Sequence, residues 1–328
     1  LQRDQPSRWA THLKFNRAAL QMAAWETLEG RAQITVFRDH VNAEAALARR
    51  LAPFDVLVLN RERTPITANL IARLPRLRLI VTSGMRNKSI DLEAARVAGV
   101  QVCGTQTLGY PTVELTWALI LAQARHLVSE TRSVGSGRWQ TAVGIGLRGK
   151  TLGVIGLGRV GSEVARIGVA FGMRVLAWSR SLTSETAAAC GAEYAPFETL
   201  LGESDVLSLH VPLTAQTRAL IGASALARMK PQAMVVNTSR GGVVDEAALA
   251  AALRDRRIRA AALDVFEQEP LPADHALHGV PNLLLTPHIG YVVEENYRVT
   301  FGQALENITA WLDKRPLRLL EAAPDTAG

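Results

Sequence analysis

The run Thr151-Leu152-Gly153-Val154-Ile155-Gly156-Leu157-Gly158-Arg159-Val160-Gly161 constrains this chain more than any other. Five residues of buried-strand character lead straight into Gly-x-Gly-x-x-Gly, and the stretch from there to about Phe171 reads as a helix. With 25 glycines in the chain such a triplet can arise by chance. Its place between a strand and a helix is what gives it a mechanism. Gly156 permits the tight turn, Gly158 lets a pyrophosphate approach the backbone, and Gly161 lets helix and strand pack closely. The N–H groups of Arg159 and Val160, at the positive end of a helix dipole, suit phosphate. A parallel α/β sheet with a dinucleotide site is implied.

The rest of the chain agrees with that class. Short apolar runs alternate with amphipathic stretches of helix length. Strands are expected at 54–59, 77–81, 100–102, 151–155, 174–178, 206–209, 234–237, 260–264 and 283–286. Helices are expected over 113–127, 246–256 and 294–312. The stretch from Arg8 to Asn16 could place Trp9, Thr11, Leu13 and Phe15 on one strand face, but His12 and Lys14 make it a poor buried strand. At 328 residues the chain is long enough for two domains. The expectation is a dinucleotide-binding domain over 106–287 inserted into a second α/β domain made of 1–105 and 288–328. Both would be Rossmann-like or flavodoxin-like, with the active site in the cleft between them.

Composition narrows the function. The 37 Lys plus Arg exceed the 30 Asp plus Glu, giving a net charge of +7, but the basic residues are scattered and only 5% of residues are aromatic. A nucleic-acid partner is therefore not expected, whereas anionic metabolites are. The first residues carry no apolar segment and no run is long enough to span a bilayer, so neither a signal peptide nor a membrane is expected. Two cysteines, Cys103 and Cys190, fit a reducing cytoplasm better than a disulfide framework.

Three polar stretches follow expected strands, where open α/β sheets bind ligands. They are Asn237-Thr238-Ser239-Arg240, Asp264 through Pro270, and Thr286-Pro287-His288-Ile289-Gly290. Oxidising a hydroxy acid needs a cation for the carboxylate, and a bidentate arginine is the best one. It needs a base for the hydroxyl proton, which suits histidine. A carboxylate beside that histidine favours its charged form and fixes its tautomer. Arg240, His288 and Glu269 supply one of each. Glu267 and Asp245 lie nearby but read as exposed turn and helix-start charges. No metal is called for.

With these motifs in this order, the sequence resembles the D-isomer-specific 2-hydroxyacid dehydrogenases from about Phe54 to Leu312. Leu209-His210-Val211-Pro212-Leu213-Thr214 is a further shared stretch. The resemblance implies an NAD- or NADP-dependent oxidoreductase of a small D-2-hydroxy acid. It gives Arg240 to the substrate carboxylate, Glu269 to the support of His288, and His288 to acid/base work. It places His210, Val211, Pro212, Asn237, Thr238, Asp264 and Gly290 along the cofactor, and Ser83 and Gly84 at the substrate carboxylate.

Arg61 and Arg63 of Arg61-Glu62-Arg63-Thr64 are similar to the phosphate-binding arginines of phosphoglycerate dehydrogenases. They are equally readable as solvated, so 3-phosphoglycerate and glyoxylate or hydroxypyruvate both stay open. The strand at 174–178 is followed by Ser179 and Arg180 where a carboxylate would grip the ribose of NAD. A hydroxyl and a cation favour NADP, with NAD still open. Relatives of this kind are homodimers, and the apolar 113–127 helix is either an interface element or ordinary core. Some members serve as dinucleotide-sensing corepressor scaffolds, the alternative to an enzyme. Tyr291-Val292 stands where many relatives have small residues, so a reshaped pocket rim is expected. A regulatory extension after the last helix, and feedback through one, are not expected.

Overall fold

The computed structural model describes residues 7–12, 20–37, 39, 41, 43–60 and 62–321. Residues 1–6, Leu13, Phe15 and Arg61, on which some of the expectations above fall, lie outside them. The chain divides into two compact units: the first runs to Leu108 and resumes at Val292, and the second is Gly109–Tyr291. These borders lie a few residues beyond the expected 105 and 287, so His288 and Gly290 belong to the second unit.

Among its described residues the first unit holds five parallel strands: β1 (Ser7–His12), β2 (Ala32–Phe37), β3 (Val56–Leu59), β4 (Leu79–Ser83) and β5 (Gln101–Thr105), in the order β2-β1-β3-β4-β5. β3 and β4 are wholly buried because helices cover both faces. Their side chains alternate accordingly. Leu57 and Ile80 meet Leu47, Leu51, Leu70 and Ile71 on one face, while Val56, Val58, Leu79 and Val81 meet Ala304 and Ile308 on the other.

The last helix, Glu294–Leu312, belongs here because buried amides fix it to the chain leaving β5. Asn307 Nδ2 donates to the Gly104 carbonyl at 2.8 Å, and the Asn296 side-chain oxygen accepts from Leu108 N–H at 2.8 Å.

The first strand corrects the sequence reading. Ser7–His12 is a strand, and it lies inside the sheet, paired on both sides with β2 and β3. A parallel ladder is built from backbone groups, so a polar sequence is no bar where both neighbours offer partners. β2, absent from the expectation, is the edge strand of the same sheet.

The second unit has seven parallel strands: β6 (Thr151–Ile155), β7 (Arg174–Trp178), β8 (Glu193–Tyr194), β9 (Val206–Leu209), β10 (Met234–Asn237), β11 (Ala260–Leu263) and β12 (Leu283–Leu285). Their order is β12-β11-β10-β9-β6-β7-β8. The chain moves outward from β6 through β7 to β8, then crosses back to lay β9 against the other side of β6. The order therefore reverses between β6 and β9, and a crevice for ligand opens at the carboxyl ends of such a pair.

One face of this sheet is covered by helices Tyr110–Ala124 and Arg159–Ala170, through Val113, Trp117, Ile120, Val164 and Ala165. The first of these starts earlier than the expected 113 because Pro111 suits a first turn. It stops at Ala124 because His126 turns left-handed, φ 53°, before a separate helix Leu127–Gly135.

Candidate active site

Close packing accounts for two of the three glycines after β6. Gly156 has φ +95°, its N–H donates to Trp178 O at 2.8 Å, and a Cβ there would stand 2.7 Å from His210 O. A Cβ on Gly161 would overlap the Gly156 carbonyl. Gly158 differs, since a Cβ there would meet nothing within 4 Å. Open space above Gly158, at the start of a helix with no side-chain cap, fits a pyrophosphate. The N–H groups of Arg159 and Val160, in the first turn, have no carbonyl of their own helix to bond. The Arg159 side chain itself lies back against Gly109.

Two further stretches border this turn. β7 ends at Trp178 and is followed by half-buried Ser179 and exposed Arg180. β9 leads to His210, whose N–H donates to Ile155 O at 2.7 Å, and to Val211, which packs near Gly156. The next residue, Pro212, is exposed. His210 Nε2 lies 2.8 Å from Ser208 Oγ, and burial pushes its pKa down to about 4, so the ring is neutral.

At the ends of β10, β11 and β12 the polar side chains serve one another. Asn237, fully buried, donates to Arg240 O at 2.9 Å and accepts from Ser239 N–H at 3.0 Å, which shapes the turn carrying Arg240. The guanidinium of Arg240 donates to Ser239 O at 2.7 Å. A Cβ on Gly241 would overlap the Phe266–Glu267 peptide, so the Arg240 and Glu269 loops are in backbone contact there.

Asp264, 1% exposed, accepts from Thr286 Oγ1 at 2.7 Å, Ile289 N–H at 2.8 Å and Gly290 N–H at 2.8 Å. Burial pushes its carboxyl above the usual range, against the downward pull of those three donors. Asp245 caps the helix Glu246–Arg254, and Glu267 is exposed and paired with Arg218, as their reading as helix-start and turn charges implied.

His288 and Glu269 meet directly. The His288 Nδ1 to Glu269 Oε2 distance is 2.6 Å, with both side chains about three-quarters buried. The other carboxylate oxygen accepts from Phe266 N–H at 3.0 Å. A carboxylate at Nδ1 places the proton there and leaves Nε2 as the nitrogen that can give or take one. The Tyr291 ring stands edge-on to the imidazole at 5.7 Å.

The other expected substrate residues lie in the first unit. Ser83 Oγ donates to Asn60 Oδ1 at 3.2 Å, and Gly84 takes φ +94°. Arg63 is half-buried.

The comparisons with known proteins bear on this geometry. Residues 117–290 match the model of the D-isomer specific 2-hydroxyacid dehydrogenase, NAD binding domain, a span that lies within the second unit. A glyoxylate reductase of Aeropyrum pernix is 45% identical over 256 residues, which is 75% of this chain and 76% of that one. The chain belongs to the D-isomer specific 2-hydroxyacid dehydrogenase family. A hydroxypyruvate reductase of Thermotoga maritima is 37% identical over 88% of this chain and 94% of its own. The crystal structure of a phosphoglycerate oxidoreductase of Vibrio cholerae O395 superposes with a TM-score of 0.88 at 38% identity, covering 94% of this chain and 99% of that one. As a 2-hydroxyacid dehydrogenase this protein transfers hydride between NAD(P) and a small 2-hydroxy or 2-keto acid.

Sequence reasoning passed over two residues that the dehydrogenase uses to tie these loops together. Thr116 Oγ1 donates to Thr112 O at 2.7 Å and lies 2.8 Å from Thr238 Oγ1, while Thr112 Oγ1 donates to Gly290 O at 3.0 Å. Hydroxyls at i and i+4 on a strongly apolar helix were the available signal.

A pH dependence follows from His210. Its imidazole takes a proton below about 4 when folded but near the ordinary value of 6.5 when unfolded. Between those values the unfolded state binds more protons, so stability present above pH 6.5 is lost as pH falls toward 4. The loss amounts to at most about 3 kcal/mol. Urea unfolding at pH 7 and pH 4.5 should show a smaller loss for His210→Asn than for the parent. Equal losses would locate the effect elsewhere.

Proposed function

We propose that this dehydrogenase is an NADP-preferring glyoxylate/hydroxypyruvate reductase in which His288 is the acid. The 2.6 Å pair of His288 with Glu269 carries the chemical reading. A nicotinamide dinucleotide held at the Gly156–Gly161 turn would supply the hydride in the reductive direction. His288 gives its Nε2 proton to the keto oxygen, and takes it back when the hydroxy acid is oxidised. Glu269 keeps the ring in the orientation that leaves Nε2 exposed to substrate. Arg240 offers a planar fork to the substrate carboxylate, and the Ser83–Gly84 turn is a substrate-binding loop of the first unit. Asn237, Thr238, Asp264, Gly290 and the His210–Pro212 segment border the cofactor. The substrate assignment is supported by likeness to glyoxylate and hydroxypyruvate reductases. The alternative, a phosphorylated substrate, rests on Arg61 and Arg63, of which Arg61 lies outside the described residues.

His288→Gln should lower kcat by about 100- to 10,000-fold and leave cofactor affinity near the parent value. Retained kcat would sink the assignment. The substrate is tested by the same assay with glyoxylate, hydroxypyruvate, pyruvate and phosphohydroxypyruvate, and preference for the last would overturn it.

The cofactor preference is inferred from Ser179 and Arg180, since no carboxylate follows β7 to hold the ribose hydroxyls. Arg180→Ser should cost about 10- to 100-fold in kcat/KM for NADPH, the loss of one charged hydrogen bond, and leave NADH unchanged. A parent enzyme that already prefers NADH would refute the assignment.

We also infer a homodimer through the second unit and a cytoplasmic location. Among the described residues Leu127, Val134, Trp139 and Val143 are 58%, 54%, 78% and 88% exposed. Val143 is among the residues that line an open cavity of about 720 Å³, with Arg125 and the rest of 140–146. So much exposed apolar surface suits a partner copy. Trp139→Glu should convert a dimer to a monomer in sedimentation velocity; a parent that sediments as a monomer would refute the dimer. No described helix is long and apolar enough to cross a membrane, and neither Cys103 nor Cys190 is in a disulfide. Cell fractionation tests the location.

A further inference from the structure

We propose that Glu246 is a positioning residue for the His288–Glu269 pair, acting through the turn that carries Glu269. The inference rests on reading that pair as the proton-transfer machinery. Glu246 opens the helix Glu246–Arg254, which Asp245 already caps by accepting from Ala248 N–H at 2.9 Å. The second carboxylate is turned away from its own helix. Its Oε1 accepts from Glu267 N–H at 2.7 Å, and its Oε2 lies 3.3 Å from His275 Nε2. Its side chain is only 9% exposed, so these partners carry most of what water would otherwise supply.

Both partners sit on the segment that holds Glu269, one before it and one after. His275 Nδ1 accepts from Leu277 N–H at 3.3 Å, which leaves Nε2 as the ring nitrogen nearest Glu246. Within the turn, successive N–H groups of Phe266 and Glu267 donate to Glu269 and Glu246. The plane of one peptide thus fixes the next, and Gly241 abuts the same peptide from the Arg240 side. A proton-transfer pair must be held to within about 0.5 Å, and Glu246 is the buried hold on its carboxylate member. The outer hold, Arg218 on the Glu267 side chain, is 57% and 62% exposed and contributes little.

The experiment is a double-mutant cycle in kcat, with KM for the keto acid and Kd for the reduced cofactor measured alongside. Glu246→Ala should lower kcat about 10- to 100-fold, the usual scale of a small misplacement, and leave KM and Kd within about twofold. Glu246→Gln should recover most of the loss, because its amide oxygen still accepts from Glu267 N–H. In a Glu269→Gln background, Glu246→Ala should add almost nothing. Arg218→Ala should leave kcat at the parent value.

Multiplying losses in the double variant, or a Glu246→Gln as poor as Glu246→Ala, would overturn the proposal. If Glu246→Ala does not fold, His275→Ala removes one of the two contacts and enters the same cycle with the same expectation at smaller size. An unchanged kcat in Glu269→Gln alone would strike the reading of the pair itself, and the proposal with it.

Discussion

A carboxylate taken out of water is costly unless donors replace the water, and Asp264 has three of them in one loop. Two are the N–H groups of Ile289 and Gly290, which immediately follow His288. His288 has φ 55°, a left-handed conformation that costs a side-chain-bearing residue about 1–2 kcal/mol. The loop keeps it because Asp264 fixes the peptides just beyond and Glu269 holds the ring. A histidine held at both backbone and side chain has one orientation, and proton transfer depends on that. Burial still pushes the Asp264 carboxyl upward against the pull of those three donors.

The hydroxyl series extends the same constraint sideways. Thr238 at the end of β10, Thr116 and Thr112 on the helix Tyr110–Ala124, and Gly290 after β12 are joined by successive contacts of 2.7–3.0 Å. Thr116 is fully buried, so each hydroxyl needs its neighbour, and removing one leaves another unsatisfied. The helix between them runs on, through the left-handed His126, to the helix that exposes Leu127 and Val134.

Much of this was legible in the sequence, for reasons that differ by residue. The glycines at 156 and 161 are required by contacts no other residue could make, and such positions leave an unambiguous mark. β6, β7, β9 and β10 lie at the expected residues, because strands buried on both faces read as unbroken apolar runs. The pairing of His288 with Glu269 was foreseen from chemistry and resemblance together, since spacing alone does not bring residues 19 apart into contact. β1 was legible only as a poor strand within residues 8–16, because its place is set by backbone partners on both sides and its sequence holds no apolar run. Thr112 and Thr116 were missed because a hydroxyl on an apolar helix is usually satisfied by its own backbone. Glu246 was hidden behind its neighbour, since paired acids at a helix start already have a sufficient explanation in the dipole.

His288, Glu269, Arg240 and the Gly156–Gly161 turn all stand on one unit, at the carboxyl ends of strands in one sheet. β6 and β9 through β12 are consecutive neighbours there, so the loops they carry are spaced by the ladder itself, about 4.8 Å per strand. A rigid spacing of that kind is what hydride and proton transfer require, because both depend steeply on distance. The His288 ring and the dinucleotide turn are then referred to the same backbone hydrogen bonds. β9, β10 and β11 lie between the two in the sheet, so a distortion of any of them would change that separation, whereas a loosened Glu269 turn would move only the proton.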